Sequence, residues 1–470
     1  MKKIITLGAG TLAVCGAVQA AKQKPAKGDA RPNFIIILAD DMGYGDLGCY
    51  GNTTIKTPNL DRMAAEGMRL VDFHANGSVS TPTRAALLTG RYQQRAGLEG
   101  VILENVPEHA DKGLQPGEVT FAKVLSDNGY ATGLVGKWHL GTLEKYHPLN
   151  FGFGSFTGFV GGHLDYFSHM TITGEHDWWV GREEKHVEGY LTDMINSAAV
   201  DFIRKNKESP FCLYVAHNCP HSPLIGPNDY ALRKPGGTRP FPQLIKGRNK
   251  EDIYREMIEC MDRGIGDIFT TLKESGVDSH TLVLFFSDNG PQLRHAGSSG
   301  PLREGKSSPF EGGHRAPTIA RMPDMIVPGS ICNSTAIGMD IFPTMCDMAG
   351  IKIPSNLDGV SIAPLLRGKQ IAPRILFYAM GPKKAVREGK WKLVVIGAQV
   401  REKGKEPRVE WATTLYDLDA DLGEQNDLAA MHPDLVTRLQ DKLAAWEKEV
   451  RNDVPEQLTT YIRSLSFGND

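Results

Sequence analysis

The sequence predicts an α/β fold: a large, mixed but mostly parallel sheet sandwiched by helices, followed by a smaller C-terminal subdomain of antiparallel sheet plus helix. Three observations carry this reading. Continuous apolar runs at Phe34–Ala39, Phe211–Ala216 and Thr281–Phe286 have the uniform hydrophobicity of strands buried on both faces. Helical patterns alternate with those runs, as in a doubly wound sheet. After about Ala372 the texture changes to shorter, more alternating strands. The chain has 470 residues, of which 41% are apolar, with 53 Lys+Arg against 55 Asp+Glu and a net charge of −2. That is a core-forming globular composition, and its 51 glycines make it loop-rich. The near-neutral balance excludes a broad electrostatic footprint for nucleic acid or an anionic membrane. Any anion site must therefore concentrate its positive charge locally.

Taken in order, Lys2-Lys3, the uncharged run Ile4–Val18 and the small residues to Ala20 form a secretory signal pattern over residues 1–20. The run is too short and too rich in Gly and Ala for a membrane span, so no stable membrane insertion is expected. Export to the periplasm or outside the cell follows. Leu12-Ala13-Val14-Cys15 matches a lipoprotein lipobox only in part, because Val14 stands where a small residue is wanted. Residues 21–31 read as a flexible leader, 32–371 as the main domain and 372–470 as the C-terminal subdomain. Pro58-Asn59 opens a helix with Leu60, Met63, Ala64 and Met68 on one face. Thr120 caps a helix carrying Phe121, Val124 and Leu125, and strand Ala131–Val135 follows. A long amphipathic helix spans Asp252–Glu274. In the C-terminal part, Arg374–Ala379, Lys390–Val395 and Thr413–Leu418 read as strands and Pro433–Val450 as a helix. Cys49, Cys212, Cys219, Cys260, Cys332 and Cys346 contain no C-x-x-C pair, which gives no basis for a zinc cluster.

Ligands of an open α/β sheet bind beyond the carboxyl ends of its strands, and polar clusters stand at those ends. The first strand finishes in Asp40-Asp41, the Ala131 strand in Gly136-Lys137-Trp138-His139, the Phe211 strand near His217 and His221, and the Thr281 strand in Ser287-Asp288-Asn289-Gly290. Carboxylates from two strand ends plus an amide oxygen make a hard oxygen shell for Ca²⁺ or Mg²⁺. Two lysines and two histidines nearby suit a tetrahedral anion. Each cluster alone also has a plain use as a turn or helix cap; the conjunction across four strand ends is what points to a site.

The string Ser80-Thr81-Pro82-Thr83-Arg84-Ala85-Ala86-Leu87-Leu88-Thr89-Gly90 completes the set. With NFIIILADDMGYGDLGCYG at 33–51, TPNLDRMAAEG at 57–67, GKWHLG at 136–141, MDRGIG at 261–266, EGKSSPFEGGHRAP around Lys306, MDIFPT at 339–344 and LYDL at 415–418, the chain resembles the type I sulfatases of the alkaline phosphatase superfamily. The branch it resembles holds arylsulfatase A and galactosamine-6-sulfatases. The resemblance implies a divalent cation, Ca²⁺ with Mg²⁺ as the alternative, on Asp40, Asp41, Asp288 and Asn289. It makes Ser80 the precursor of formylglycine, with Arg84 holding that residue beside the cation. It gives Lys137 and Lys306 to the sulfate, His139 to the formylglycine and His221 to the bridging ester oxygen. Serine rather than cysteine at position 80 implies an anaerobic sulfatase-maturing radical enzyme as partner.

For the substrate, the resemblance and the polar, aromatic loop from His163 to His186 point to O-sulfate on a galactose- or GalNAc-type sugar. His163 and Asp165 are expected to contact it. His314 stands where the family more often has an aliphatic residue, and both a substrate contact and simple packing are open. Lys383, Lys384 and Arg387 either border the pocket or form a solvated face. The rival reading is a phosphomonoesterase or phosphodiesterase of the same superfamily using unmodified Ser80. It would expect a two-zinc site with more His ligands, and Asn289 argues against it.

Overall fold

The computed structural model describes residues 31–237, 239–400, 408–452 and 454. The expected signal peptide with Cys15, and the leader except for Arg31, lie outside them. Among the described residues, no helix is long and apolar enough to cross a membrane. The six cysteines expected in the mature chain are free thiols.

Ten strands form the main sheet, in the spatial order 330–332, 68–70, 319–321, 281–287, 33–39, 211–216, 131–137, 155–159, 179–180 and 183–184. The five long central strands run parallel: 33–39 pairs with 281–287 on one side and 211–216 on the other, and 131–137 lies between 211–216 and 155–159. The short strands at 319–321, 179–180 and 183–184 add antiparallel pairs. Strand Asn33–Ala39 is buried at every position, and its residues divide alternately between two cores. Phe34, Ile36 and Leu38 enter one core and Ile35, Ile37 and Ala39 the other, which is why the sequence there is a continuous apolar run rather than an alternation. Asn33 ties the three central strands at their start, accepting from Phe211 N at 3.0 Å and donating to Thr281 Oγ1 at 3.3 Å.

The helix opening at Pro58 runs to Glu66, its first N–H groups satisfied by Asp262 of the long helix Lys250–Glu274. The signature string folds as helix Ser80–Thr89, buried along its whole length and closed by left-handed Gly90.

Four strands, Ile375–Met380, Lys383–Glu388, Trp391–Val400 and Arg408–Asp417, form an antiparallel meander. Its inner face, with Leu376, Val386, Leu393 and Leu415, packs on Leu439, Leu443, Trp446 and Val450 of helix Pro433–Arg451, and this third core also takes in Ala86 and Tyr92. The meander is thus built against the signature helix.

Candidate active site

The strand ends converge. Asp40 and Asp41 follow the central strand, Asp288 and Asn289 follow strand 281–287, and Lys137 closes strand 131–137. Gly136 allows that last approach: its φ is +94°, and a Cβ there would lie 2.0 Å from Ala216 O of the neighbouring strand. Asp41 and His139 are themselves left-handed at φ 66° and 57°, a cost of about 1–3 kcal/mol each of the kind concentrated at functional sites.

Ser80 stands at the first position of the buried helix 80–89, where the partial positive charge of a helix N-terminus acts. Its Oγ donates to Asp40 Oδ1 at 3.1 Å, and Lys137 Nζ lies 3.4 Å from the same oxygen. One turn on, Arg84 is fully buried, donating to Lys137 O at 3.1 Å and to Asp288 Oδ2 at 3.2 Å. Lys137 Nζ pairs with Asp40 Oδ2 at 2.5 Å, and Lys306 Nζ with Asp41 at 2.7 Å. Asn289 Nδ2 donates to Asp41 Oδ1 at 2.7 Å.

This donor set fits a divalent cation. Three carboxylates and one amide converge, all from buried residues. The amide oxygen of Asn289 is buried with no hydrogen-bond partner among the described residues. Such an orphaned oxygen beside acidic groups is what a hard cation would satisfy. Burial, then the charge of Asp40, raises the carboxyl of Asp288, while Arg84, Lys137 and Lys306 act against that rise.

Ser80, Asp41, His139, His163, His221 and Lys306 line one cavity of about 240 Å³. Burial, followed by the charge of Lys137, keeps His139 well below the usual histidine range, and burial with Lys306 does the same to His221. Their neutral tautomers are set by backbone carbonyls. His139 Nε2 lies 2.9 Å from Ile102 O and must carry the proton, leaving the Nδ1 lone pair without a partner among the described residues. His221 Nδ1 bonds Ser222 O at 2.7 Å, which turns Nε2 toward Asp41 Oδ2 at 3.6 Å. Burial lowers Lys137; it acts on Lys306 too, but Asp41 and Asp40 outweigh it and hold that ammonium above the usual range.

Asp165, expected to contact substrate, and His314, open between contact and packing, both lie away from the cavity. Asp165 is fully buried and spends its carboxylate on the backbone N–H groups of Phe167, Ser168, Leu232 and Arg233, so it shapes its loop instead of facing the cavity. His314 is buried beside His74, with Nδ1 to Nδ1 at 3.0 Å, stacks on Tyr378 at 3.8 Å and meets Lys392 Nζ at 3.2 Å; it packs. Arg387 neither borders the cavity nor faces solvent, because it is buried on Asp72 at 2.7 and 2.8 Å. Lys383 reaches Ser307 O at 3.2 Å on the cavity wall, and Lys384 pairs with Glu447. Trp178 is buried in the core, and Trp179 donates to Asp177 at 2.7 Å. Sequence reasoning passed over Glu104, which lines the cavity. Burial, with Asp177 adding to it, pushes its carboxyl up to about 7. No local pattern marks that residue; only the tertiary approach of segment 101–105 reveals it.

The family model described as Sulfatase matches residues 32–351, and one described as N-sulphoglucosamine sulphohydrolase, C-terminal, matches 306–449. Arylsulfatase A of Bos taurus is 34% identical over 401 residues, covering 77% of this chain and 74% of its own. N-acetylgalactosamine-6-sulfatase of Rattus norvegicus is 37% identical over 373 residues, covering 74% and 68%. The crystal structure of Ps i-CgsB in complex with k-i-k-neocarrahexaose superposes with a TM-score of 0.74 at 29% identity, covering 89% of this chain and 93% of that one.

Proposed function

The chain belongs to the sulfatase family and is a sulfuric ester hydrolase, and we propose that it removes O-sulfate from a galactose- or GalNAc-type sugar after Ser80 is converted to formylglycine. One observation carries the proposal: the Ser80 side chain, at the head of a buried helix, sits within reach of Asp40 and Lys137 in the wall of a cavity that also holds Lys306, His139 and His221. The sugar assignment draws support from the rat relative, an N-acetylgalactosamine-6-sulfatase, and from the neocarrahexaose in the Ps i-CgsB complex.

In this reading Lys137 and Lys306 clamp the sulfate and offset charge gathering on its oxygens as the S–O bond breaks. Asp40, Asp41, Asp288 and Asn289 would hold the cation, Ca²⁺ or Mg²⁺, whose chemistry is to acidify the attacking hydroxyl and draw charge from the sulfate. Formylglycine, when hydrated, supplies one hydroxyl for attack on sulfur and a second that lets sulfate be expelled. Arg84 holds residue 80 against the acidic cluster. His221, once a bound anion charges its ring, delivers the proton to the leaving oxygen, and Lys306 can share that role. The free Nδ1 lone pair of His139 takes the proton lost on release.

The partner for Ser80 is an anaerobic sulfatase-maturing enzyme. Residues 1–20 direct export to the periplasm or beyond, 32–371 form the catalytic domain and 372–470 the C-terminal subdomain. Turnover of sulfated galactose and N-acetylgalactosamine by matured protein tests the proposal; hydrolysis of phosphate esters alone would replace it with the phosphoesterase reading.

A further inference from the structure

Five consecutive residues, Val101 to Asn105, form one wall of the cavity. This wall is tied to the reacting centre twice. Ile102 N donates to Thr81 Oγ1 at 3.2 Å, next to Ser80, and Ile102 O accepts the hydrogen bond of His139 Nε2. Glu104, two residues on, is therefore carried at a set offset from both groups. One of its oxygens, Oε1, accepts the N–H of Gly162, on the turn that touches His139. The other, Oε2, is buried with no hydrogen-bond partner among the described residues. Arg233 and Lys137 act on Glu104 only at a distance, and Asp177 repels it.

A carboxylate is an expensive group to keep half-paired in the wall of a cavity that receives an anionic ester. Gly162 alone does not require it, since an amide oxygen would serve that N–H equally. A hydroxyl on the ligand, which can donate or accept, resolves the cost. We propose that Glu104 hydrogen-bonds a hydroxyl of the sugar that carries the sulfate, which makes it a specificity-determining residue selecting polyhydroxylated sulfate esters over aryl ones. The proposal rests on the sulfatase reading above. An aryl ester offers no donor at that point and leaves Oε2 unpaired; a site built to bond a hydroxyl discriminates against ligands lacking it.

The test uses full-length protein matured with its partner enzyme and mass-verified at residue 80. Its substrates are 4-nitrophenyl sulfate, galactose 6-sulfate and N-acetylgalactosamine 6-sulfate. Glu104→Gln keeps an acceptor for Gly162 and the side-chain shape. The expected result is a fall in kcat/KM of about 10- to 100-fold on the sugar esters, with 4-nitrophenyl sulfate changed by no more than about twofold. Glu104→Asp should recover part of the sugar activity. An equal loss on all three esters would make Glu104 a prop for the Gly162 turn and overturn the proposal. So would unchanged sugar kinetics, or a wild type that hydrolyses the aryl ester and neither sugar. Failure of matured wild type on all three would instead overturn the assignment of a galactose- or GalNAc-type sulfate ester on which the proposal rests.

Discussion

Ser80 Oγ donates to Asp40 Oδ1 across 3.1 Å, so the side chain read as the reacting group and the first of the expected cation ligands are in direct contact across 40 residues of sequence. Asp40 is also held by Lys137 at 2.5 Å, and Arg84 spans from Lys137 O to Asp288. Residue 80 and the proposed cation ligands are thus one hydrogen-bonded assembly, so on this reading losing the ligands is a chemical loss.

Asp288→Ala is therefore expected to lower sulfatase turnover at least about a thousandfold, and to abolish Ca²⁺ binding measured by calorimetry. Retained turnover would refute the cation assignment.

The C-terminal meander reaches the site through buried charge. Lys392 is fully buried, 2.9 Å from Glu311 and 3.0 Å from Glu424. Glu311 opens the short turn whose Gly313 O accepts Gly290 N at 2.8 Å, directly after Asn289. Removing one partner of a buried ion cluster strands the others. Lys392→Met should cost about 3–5 kcal/mol in denaturant unfolding; a loss below about 1 kcal/mol would show that the network carries little.

Gly290→Ala tests the same junction by shape. A Cβ there would fall 1.7 Å from Gly312 O, and backbone cannot yield as a side-chain tip can. Destabilisation of about 1–3 kcal/mol is expected, together with weaker Ca²⁺ affinity from displaced Asn289. Wild-type affinity in a folded variant would contradict this coupling.

Much of this was legible in the sequence because the physics is local. Strands 33–39, 211–216 and 281–287 are apolar throughout, which announces burial on both faces, and the polar residues that end them could only lie on one edge of a parallel sheet. Strands of two or three residues near the sheet's margins, such as Met68–Leu70 and Trp179–Val180, are too short to show a period. Lys383–Glu388 is polar at both ends and becomes a strand through pairing on both sides. Sequence reasoning places Asp165 at the substrate, and leaves His314 open between substrate and packing, for a related reason: a polar side chain in a loop or beside a motif does not disclose whether it faces a cavity or its own backbone. Helix Leu191–Asn206 passed unrecognised in the same way, its apolar face emerging only where it packs against the sheet and helix 250–274.

Stability should carry a signature of the cavity wall. Burial raises Glu104 to about 7 and Asp177 to about 6. The folded state holds these protons more tightly than the unfolded chain, whose carboxyls titrate near 4. Their contribution is thus fully present in acid and is lost as pH rises toward about 7. Melting curves between pH 5 and 8 should show Glu104→Gln falling less steeply than wild type across pH 5–7; parallel curves would contradict the shift.

The most direct test of the central claim is the mass of the peptide spanning Ser80, from protein made alongside an anaerobic maturing enzyme. Loss of two hydrogens at residue 80 is the predicted result and would establish the aldehyde. An unchanged serine in protein that nonetheless hydrolyses its ester would contradict the formylglycine mechanism and put Ser80 itself forward as nucleophile.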